Sequence, residues 1–426
     1  MTIGIGIAGA GTVGGTLVRR LVEERAVVTA KTGLDLEVRR VAVRDVSKER
    51  PGIPSEIVTA EVMDLVDDPA VDLIVEVMGG LDPAGILVLA ALRARKPVVT
   101  ANKELVAARG PELFAAAAEA GVPLLFEATV GGGIPIIRPL TETLAGEQVA
   151  RVLGIVNGTT NFILTSMADE GVGYEEALAE AQRLGYAEAD PTADVSGADA
   201  AAKAAILAGL AFGTWVAPDR VHAEGITAIS AADFRAADEL GFVIRLLAVA
   251  ERRSDGVSVR VHPLMLSVDH PLAAIRGATN AIYIEGPSVG ELLFAGPGAG
   301  GEPTATAVLG DVIDAARVHL SGSRVVPRIR VEPGDVVDFG TVDTQWYVRL
   351  EVVDSPGVLA QIAGAFSEAG VSILSVRQEG RGDSATLVLV THTAPEAAQQ
   401  AAVEALRSLA AVESIASVIR VESEDG

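Results

Sequence analysis

Four acids and one lysine, Glu188, Asp190, Asp194, Asp199 and Lys203, crowd a short segment that runs straight into an apolar stretch. Asp199 and Lys203 lie four apart, at the start of a pattern continuing Ala-Ala-Ile-Leu-Ala-Gly-Leu-Ala-Phe, so a helix puts both side chains on one face. The other three acids sit upstream in a loop broken by Gly and Pro, which can fold back over that face. Such a set offers carboxylates to a cationic group and an amine to a proton. The plainer reading is an Asp–Lys surface pair under a first turn enriched in acids by the helix dipole. The nearly continuous apolar run after Lys203 favours instead a buried helix that carries its charges at one end.

A second cluster is placed by a parallel sheet. Residues 3 to 8 read as a buried strand, Gly9-x-Gly11-x-x-Gly14 as a turn, and the Leu17, Val18, Leu21, Val22 pattern as a helix. In that context the glycines suit a dinucleotide: tight turn, close backbone approach to pyrophosphate, and partial positive charge at the helix start around Thr12 and Val13. Strands at 37 to 43, 71 to 77, 97 to 100 and 122 to 126 alternate with helices at 82 to 95 and 104 to 120, which implies an α/β unit with a parallel sheet covered on both faces. After the second strand, Asp45 suits a ribose hydroxyl, whereas Arg44, Arg40 and Lys48 suit a 2′-phosphate, and the cation count favours NADP with NAD as the alternative. Lys103 is expected at the carboxyl end of the sheet, with 76 to 80 in the same crevice against the nicotinamide. Glu127 with the glycines 131 to 133 offers either a tight turn or carbonyls around a hard cation. Asn157 to Asn161 reads as a helix N-cap.

From 140 to 300 the pattern becomes α+β, with helices expected at 174 to 184, 197 to 213 and 236 to 250 and strands near 257 to 268 and 280 to 284. A helix at 304 to 320, opened by Gly300 and Gly301, is placed to return to the first domain. Behind a connector at 327 to 345, the order strand 346–353, helix 357–369, strands 371–378 and 385–391, helix 395–409, strand 412–421 is βαββαβ, a ferredoxin-like unit. The expected domains are thus 1–135 completed by 302–322, then 136–301, then 346–426.

The net charge of −23 opposes a nucleic-acid partner. With no cysteine and five scattered histidines, disulfides, thiol nucleophiles and a zinc cluster are excluded. The longest apolar run, 204 to 217, is too short for a bilayer, and the chain enters a strand without a basic leader, so no membrane partner and a cytoplasmic location are expected.

Taken together, the glycine loop, Thr-Ala-Asn-Lys at 100 to 103, Glu-Ala-Thr-Val-Gly-Gly-Gly-Ile-Pro at 127 to 135, Asn-Gly-Thr-Thr-Asn at 157 to 161 and the 185 to 203 segment resemble the homoserine dehydrogenase family over essentially the whole chain. The resemblance implies interconversion of L-homoserine and L-aspartate 4-semialdehyde with NAD(P). It implies Lys203 as the catalytic lysine, Lys103 near cofactor and substrate, and Glu188 and Asp199 on homoserine, with Tyr186, Gly158 and Thr159 as further substrate contacts. Gly185, Gly300 and Gly301 correspond to cofactor contacts. Glu127, Val130, Gly132 and Ile134 correspond to a Na+ or K+ site, the last three through backbone oxygens. A lysine acts as a base only when burial or another cation lowers its pKa, and an Asp four residues away opposes this. The conflict resolves if Asp199 and Glu188 engage the substrate ammonium.

Val-Asp-Ser-Pro-Gly-Val-Leu at 353 to 359 and Glu-Ala-Gly-Val-Ser-Ile at 368 to 373 resemble an ACT regulatory domain, which implies threonine as feedback effector, although Ser372 stands where many such domains carry asparagine. The resemblance also implies a homodimer through the middle region, or a homotetramer by ACT pairing. Rival enzyme classes fail on the residues: aspartate-semialdehyde dehydrogenase chemistry needs a cysteine, and no tyrosine has Lys four residues later. The remaining alternative is a non-catalytic amino-acid sensor with a Rossmann scaffold. Because the 346–426 unit looks separable, truncation before Trp346 is expected to spare activity.

Overall fold

The computed structural model describes residues 2–322, 329–332, 334–380 and 384–422, so connector residues 327, 328 and 333 and residues 381–383 and 423–426 of the 346–426 unit lie outside the described residues. The chain forms two compact units: Met1–Val152 with Ala205–Asp219 and Asn280–Gly334, and Leu153–Ala204 with Arg220–Thr279 and Asp335–Gly426. Residues 136–301 contribute to both.

In the first unit, β1 (Thr2–Ala8), β2 (Asp35–Ala42), β3 (Val58–Thr59), β4 (Leu73–Glu76), β5 (Val98–Thr100) and β6 (Leu124–Leu125) form a sheet in the order β3-β2-β1-β4-β5-β6. Every pairing is parallel. This is the doubly wound order, whose ligand crevice lies at the strands' carboxyl ends beside β1 and β4. The strands are apolar on both faces because helices cover both: Ile5, Leu73 and Val75 share one core with Leu17 and Val18 of the helix Thr12–Glu23 and Val308 and Val312 of the helix Gly301–Ser321. The helix Gly301–Ser321 thus packs on the core of this sheet.

The second unit contains a long antiparallel hairpin, Phe242–Arg253 with Gly256–Ser267. Here the helix expected at 236 to 250 is corrected. Helix Ala231–Glu239, started by a Ser230–Asp233 capping box, ends before Gly241, whose φ of +78° no β-branched or bulky residue tolerates easily. The apolar run that follows is a strand buried on both faces, which periodicity alone does not separate from a buried helix. The C-terminal part is the expected βαββαβ unit, its strands ordered Val412–Val421, Asp343–Val353, Ser384–Thr391, Ile373–Glu379.

Its separability needs correction too. Val412–Val421 also pairs in parallel with the hairpin, Leu264 opposite Arg420 and Met265 opposite Val421. Arg420 forms two-pronged contacts with Glu224 at 2.7 and 2.8 Å and with Glu396, and Arg349 binds Asp233 at 2.9 Å. A cut before Trp346 would therefore remove a strand from a shared sheet and leave Glu224 and Asp233 without their arginines. No helix among the described residues is long and apolar enough to cross a membrane.

Candidate active site

The helix Ala198–Phe212 places Asp199 and Lys203 one turn apart on one face, as their spacing requires. Lys203 Nζ donates to Asp199 Oδ2 at 2.7 Å and to the Val156 carbonyl at 2.7 Å. The two side chains are only 12% and 9% exposed, which makes this a largely desolvated ion pair rather than a surface one. Asn157, marked by the sequence as a helix N-cap, is also the hub of the arrangement. Asn157 caps the helix Gly158–Glu170, its Oδ1 accepting from Thr160 N at 2.9 Å, while its Nδ2 donates to Asp194 Oδ1 at 2.7 Å and Asp199 Oδ2 at 2.8 Å. Only an amide combines the acceptor that the cap needs with the donors that two carboxylates need.

Of the upstream acids, Asp194 thus folds back onto the lysine's face. Asp190 is used locally, accepting from Thr192 N at 3.1 Å and its hydroxyl at 2.6 Å, which lowers its pKa. Glu188 is exposed. Thr159 Oγ1 donates to the Tyr186 carbonyl at 2.7 Å, and the Tyr186 ring lies 4.7 Å from that of Phe162. These contacts bring Gly158, Thr159 and Tyr186 together beside the helix start. Gly185, at φ +81°, ends the helix Tyr174–Leu184 with open space where a Cβ would stand.

In the first unit, Gly9 has φ +102° and a Cβ there would lie 2.7 Å from the Val77 carbonyl oxygen, while a Cβ on Gly14 would lie 2.1 Å from the Gly9 oxygen. Both positions need glycine for close backbone packing. Gly11, by contrast, faces open space and caps the helix that begins with Thr12 and Val13, whose amides have no intrahelical acceptor. The cradle therefore fits a dinucleotide pyrophosphate. Gly300, at φ +116°, and Gly301 open the helix Gly301–Ser321, and a Cβ on Gly301 would come within 3.0 Å of Thr16 Oγ1 and 3.2 Å of Thr12 Cγ2, so both glycine turns belong to the same cradle.

Beyond β2, Asp45 Oδ1 accepts from Ser47 N at 2.9 Å and Ser47 Oγ at 2.6 Å, which lowers its pKa and turns one of its two carboxylate oxygens to a local partner. Arg44 and Lys48 are exposed, whereas Arg40 pairs with Asp68 at 3.0 Å and leaves the set of phosphate-binding candidates. Lys103 is the first residue of the helix Lys103–Ala120, capped by Asn102.

The cation reading of Glu127 changes. Its carboxylate is buried and accepts from three consecutive amides, Ile136 at 2.6 Å, Ile137 at 2.7 Å and Arg138 at 3.0 Å. Burial raises its pKa against these hydrogen bonds, and burial likewise pushes its neighbour Asp311 up to about 7. Three amide N–H groups already aim their positive ends at this carboxylate, which opposes a cation at the same oxygens and leaves the Glu127 carbonyl as the better ligand. Gly131 and Gly132, at φ +70° and +56°, fold the segment Val130 to Ile134 into a turn closed by Ile134 N donating to the Gly131 carbonyl at 2.9 Å, and a segment that offers main-chain oxygens and no thiolate or imidazole is chemically suited to a hard cation rather than a transition metal. No group of three or more His, Cys, Asp or Glu among the described residues could hold a metal.

Comparison with known proteins agrees across the whole chain. Family models described as "Homoserine dehydrogenase, NAD binding domain", "Homoserine dehydrogenase" and "ACT domain" match residues 9–127, 135–313 and 346–411. A homoserine dehydrogenase of Corynebacterium glutamicum is 49% identical over 425 residues, 99% of this chain and 96% of that protein. The crystal structure of a homoserine dehydrogenase from Thiobacillus denitrificans superposes with a TM-score of 0.94 at 40% identity, covering 99% of each chain. A hyperthermophilic archaeal homoserine dehydrogenase solved in complex with NADPH matches 74% of this chain and 98% of its own, with a TM-score of 0.64 at 32% identity. The non-catalytic sensor reading finds no support among these relatives.

Proposed function

The chain belongs to the homoserine dehydrogenase family, and we propose that Lys203, held by Asp199 and Asn157, moves the proton in its interconversion of L-homoserine and L-aspartate 4-semialdehyde. The observation that carries the proposal is the desolvated contact of Lys203 Nζ with Asp199 Oδ2 at 2.7 Å. The bound nicotinamide supplies or accepts the hydride at the substrate's C4. Towards homoserine, the Lys203 ammonium donates a proton to the carbonyl oxygen as negative charge develops there; towards the semialdehyde, the amine takes the hydroxyl proton. Lys103 is the second candidate for this transfer.

Asp199 and Glu188 hold the substrate ammonium, Gly158, Thr159 and Tyr186 line its place, and Asp194 keeps Asn157 in position. NADPH formation from L-homoserine, followed at 340 nm, tests the reading. Asp199→Asn is expected to raise KM for homoserine about tenfold and also to lower kcat, because Asp199 anchors Lys203 as well; Glu188→Gln should raise KM alone. Initial rates over a homoserine series separate the two, and an unchanged KM in both would give these acids a structural role only.

NADP is the preferred cofactor in this reading, with NAD as a poorer one, because Arg44 and Lys48 are exposed just beyond β2 while Asp45 already turns one carboxylate oxygen to Ser47. Combined Arg44→Ala and Lys48→Ala substitution should raise KM for NADP by about 10- to 100-fold and leave that for NAD within about threefold, since only the 2′-phosphate loses partners. Equal losses with both cofactors would remove these cations from the site. Gly9, Gly11, Thr12, Val13, Gly14, Gly185, Gly300 and Gly301 complete the cofactor contacts. Carbonyls of Glu127, Val130, Gly132 and Ile134 would hold Na+ or K+. Threonine is the proposed effector of the ACT domain, and a homodimer or homotetramer the proposed assembly.

A further inference from the structure

One buried acid has no part in this chemistry. Glu76 ends β4 and is 0% exposed, with Ala8 of β1 on one side and Thr100 of β5 on the other. Its Oε1 accepts from Met78 N at 2.7 Å and Gly79 N at 3.3 Å, and its Oε2 accepts from the Thr100 hydroxyl at 2.6 Å. The same hydroxyl oxygen accepts from Asn102 N at 3.0 Å. Asn102 then donates from Nδ2 to the Gly80 carbonyl at 2.7 Å and caps the helix that begins at Lys103, accepting from Leu105 N at 3.0 Å. The result is a closed ring of hydrogen bonds, Glu76 to Thr100 to Asn102 to Gly80, at the carboxyl end of the sheet.

This ring holds a turn that has little rigidity of its own. Gly79 and Gly80 are both left-handed, at φ +78° and +73°, with open space beside each Cα. Two glycines in succession allow many conformations, so something must select one. On its other side the turn lies against the dinucleotide loop: the Val77 carbonyl oxygen is 2.7 Å from where a Cβ on Gly9 would be, and Met78 N is 3.1 Å from it.

We infer that Glu76 is a positioning residue: it fixes the 77–80 turn against the Gly9 loop and, through Thr100, fixes Asn102 beneath Lys103, so that the nicotinamide is held in one orientation. A carboxylate is required because every neighbour donates. Glutamine has the same size, but with its NH2 towards the two backbone N–H groups donors meet donors, and with its NH2 towards Thr100 the hydroxyl must accept twice and turn its own proton off the Glu76 position, so one hydrogen bond of the ring is lost either way.

The test is Glu76→Gln, assayed with L-homoserine and with L-homoserine carrying deuterium on C4, together with the fluorescence anisotropy of bound NADPH in the absence of substrate. That anisotropy should fall below that of wild type if the nicotinamide is loosened, and an unchanged value overturns the inference. A loosened nicotinamide slows hydride transfer itself, so kcat should fall about 30-fold and the deuterium isotope effect on kcat should rise, with KM for homoserine changed by less than about threefold. A merely structural role reduces the fraction of folded enzyme and leaves the isotope effect where it was; that outcome, or a kcat within about threefold of wild type, overturns the inference. If Glu76→Gln does not fold, Thr100→Val carries the same test. It removes the hydroxyl that links Glu76 to Asn102, and an isotope effect unchanged from wild type in that variant also overturns it. Wild-type enzyme that binds NADPH but fails to oxidise homoserine would instead defeat the functional assignment.

Discussion

Lys203→Ala is expected to lower kcat about 10³-fold, the scale on which a positioned acid–base group acts, while the Kd for NADPH measured by fluorescence titration stays unchanged. The expectation follows from where the lysine stands. Its Nζ is 2.7 Å from Asp199 Oδ2 and from the Val156 carbonyl, on the second unit, whereas the glycine cradle is on the first. Asp199 keeps Asn157 as a partner when the lysine is lost, so the variant should fold. Lys203→Arg separates charge from proton transfer. It preserves a cation beside Asp199, but a guanidinium does not release its proton at working pH. It should be nearly as inactive as the alanine variant, and substantial turnover by it would reassign Lys203 to electrostatic binding.

Arg420→Met should destabilise the second unit by about 3–5 kcal/mol at neutral pH, because it leaves two carboxylates where one buried guanidinium had paired both. Arg420 and Glu396 are 5% and 0% exposed; Glu224, at 40%, is half open to water and contributes the smaller share. Burial raises the pKa of both acids, yet hydrogen bonds from His222 and Arg420 to Glu224, and from Arg420 to Glu396, outweigh it and hold both below 4.5. Acids lowered in the folded state stabilise it above their unfolded pKa and lose that contribution as pH falls through the folded values. Wild-type stability should therefore drop more steeply below about pH 4.5 than that of Arg420→Met, and the gap between them should close. Urea midpoints across pH 3 to 7 check this, and a gap under about 1 kcal/mol at pH 7 would show that the clamp contributes little.

What the sequence made legible was local. Gly9, Gly11 and Gly14 between a strand and a helix, and Asp199 four residues before Lys203, are set by backbone geometry over a single turn. The parallel sheet of the first unit and the βαββαβ order of the C-terminal part were legible too, because short apolar runs alternate with helical patterns along the chain. Hidden were contacts that join distant segments. Asn157 meets Asp199 across 42 residues and Arg420 meets Glu224 across 196, and no periodicity encodes either pairing. The direction of the Glu127 carboxylate was hidden for a related reason: its partners are main-chain amides, which every sequence supplies. The hairpin strand at 242 was read as helix because a strand buried on both faces carries no alternation.

The most direct test of the account is the rate of NADPH formation from L-homoserine by Lys203→Ala in a series of small primary amines. If Lys203 transfers the proton, an added amine that enters the emptied space should restore turnover, with rates that rise with amine concentration and vary systematically with amine basicity. A Lys203→Ala enzyme that turns over within about tenfold of wild type, at a rate indifferent to any amine, would contradict it.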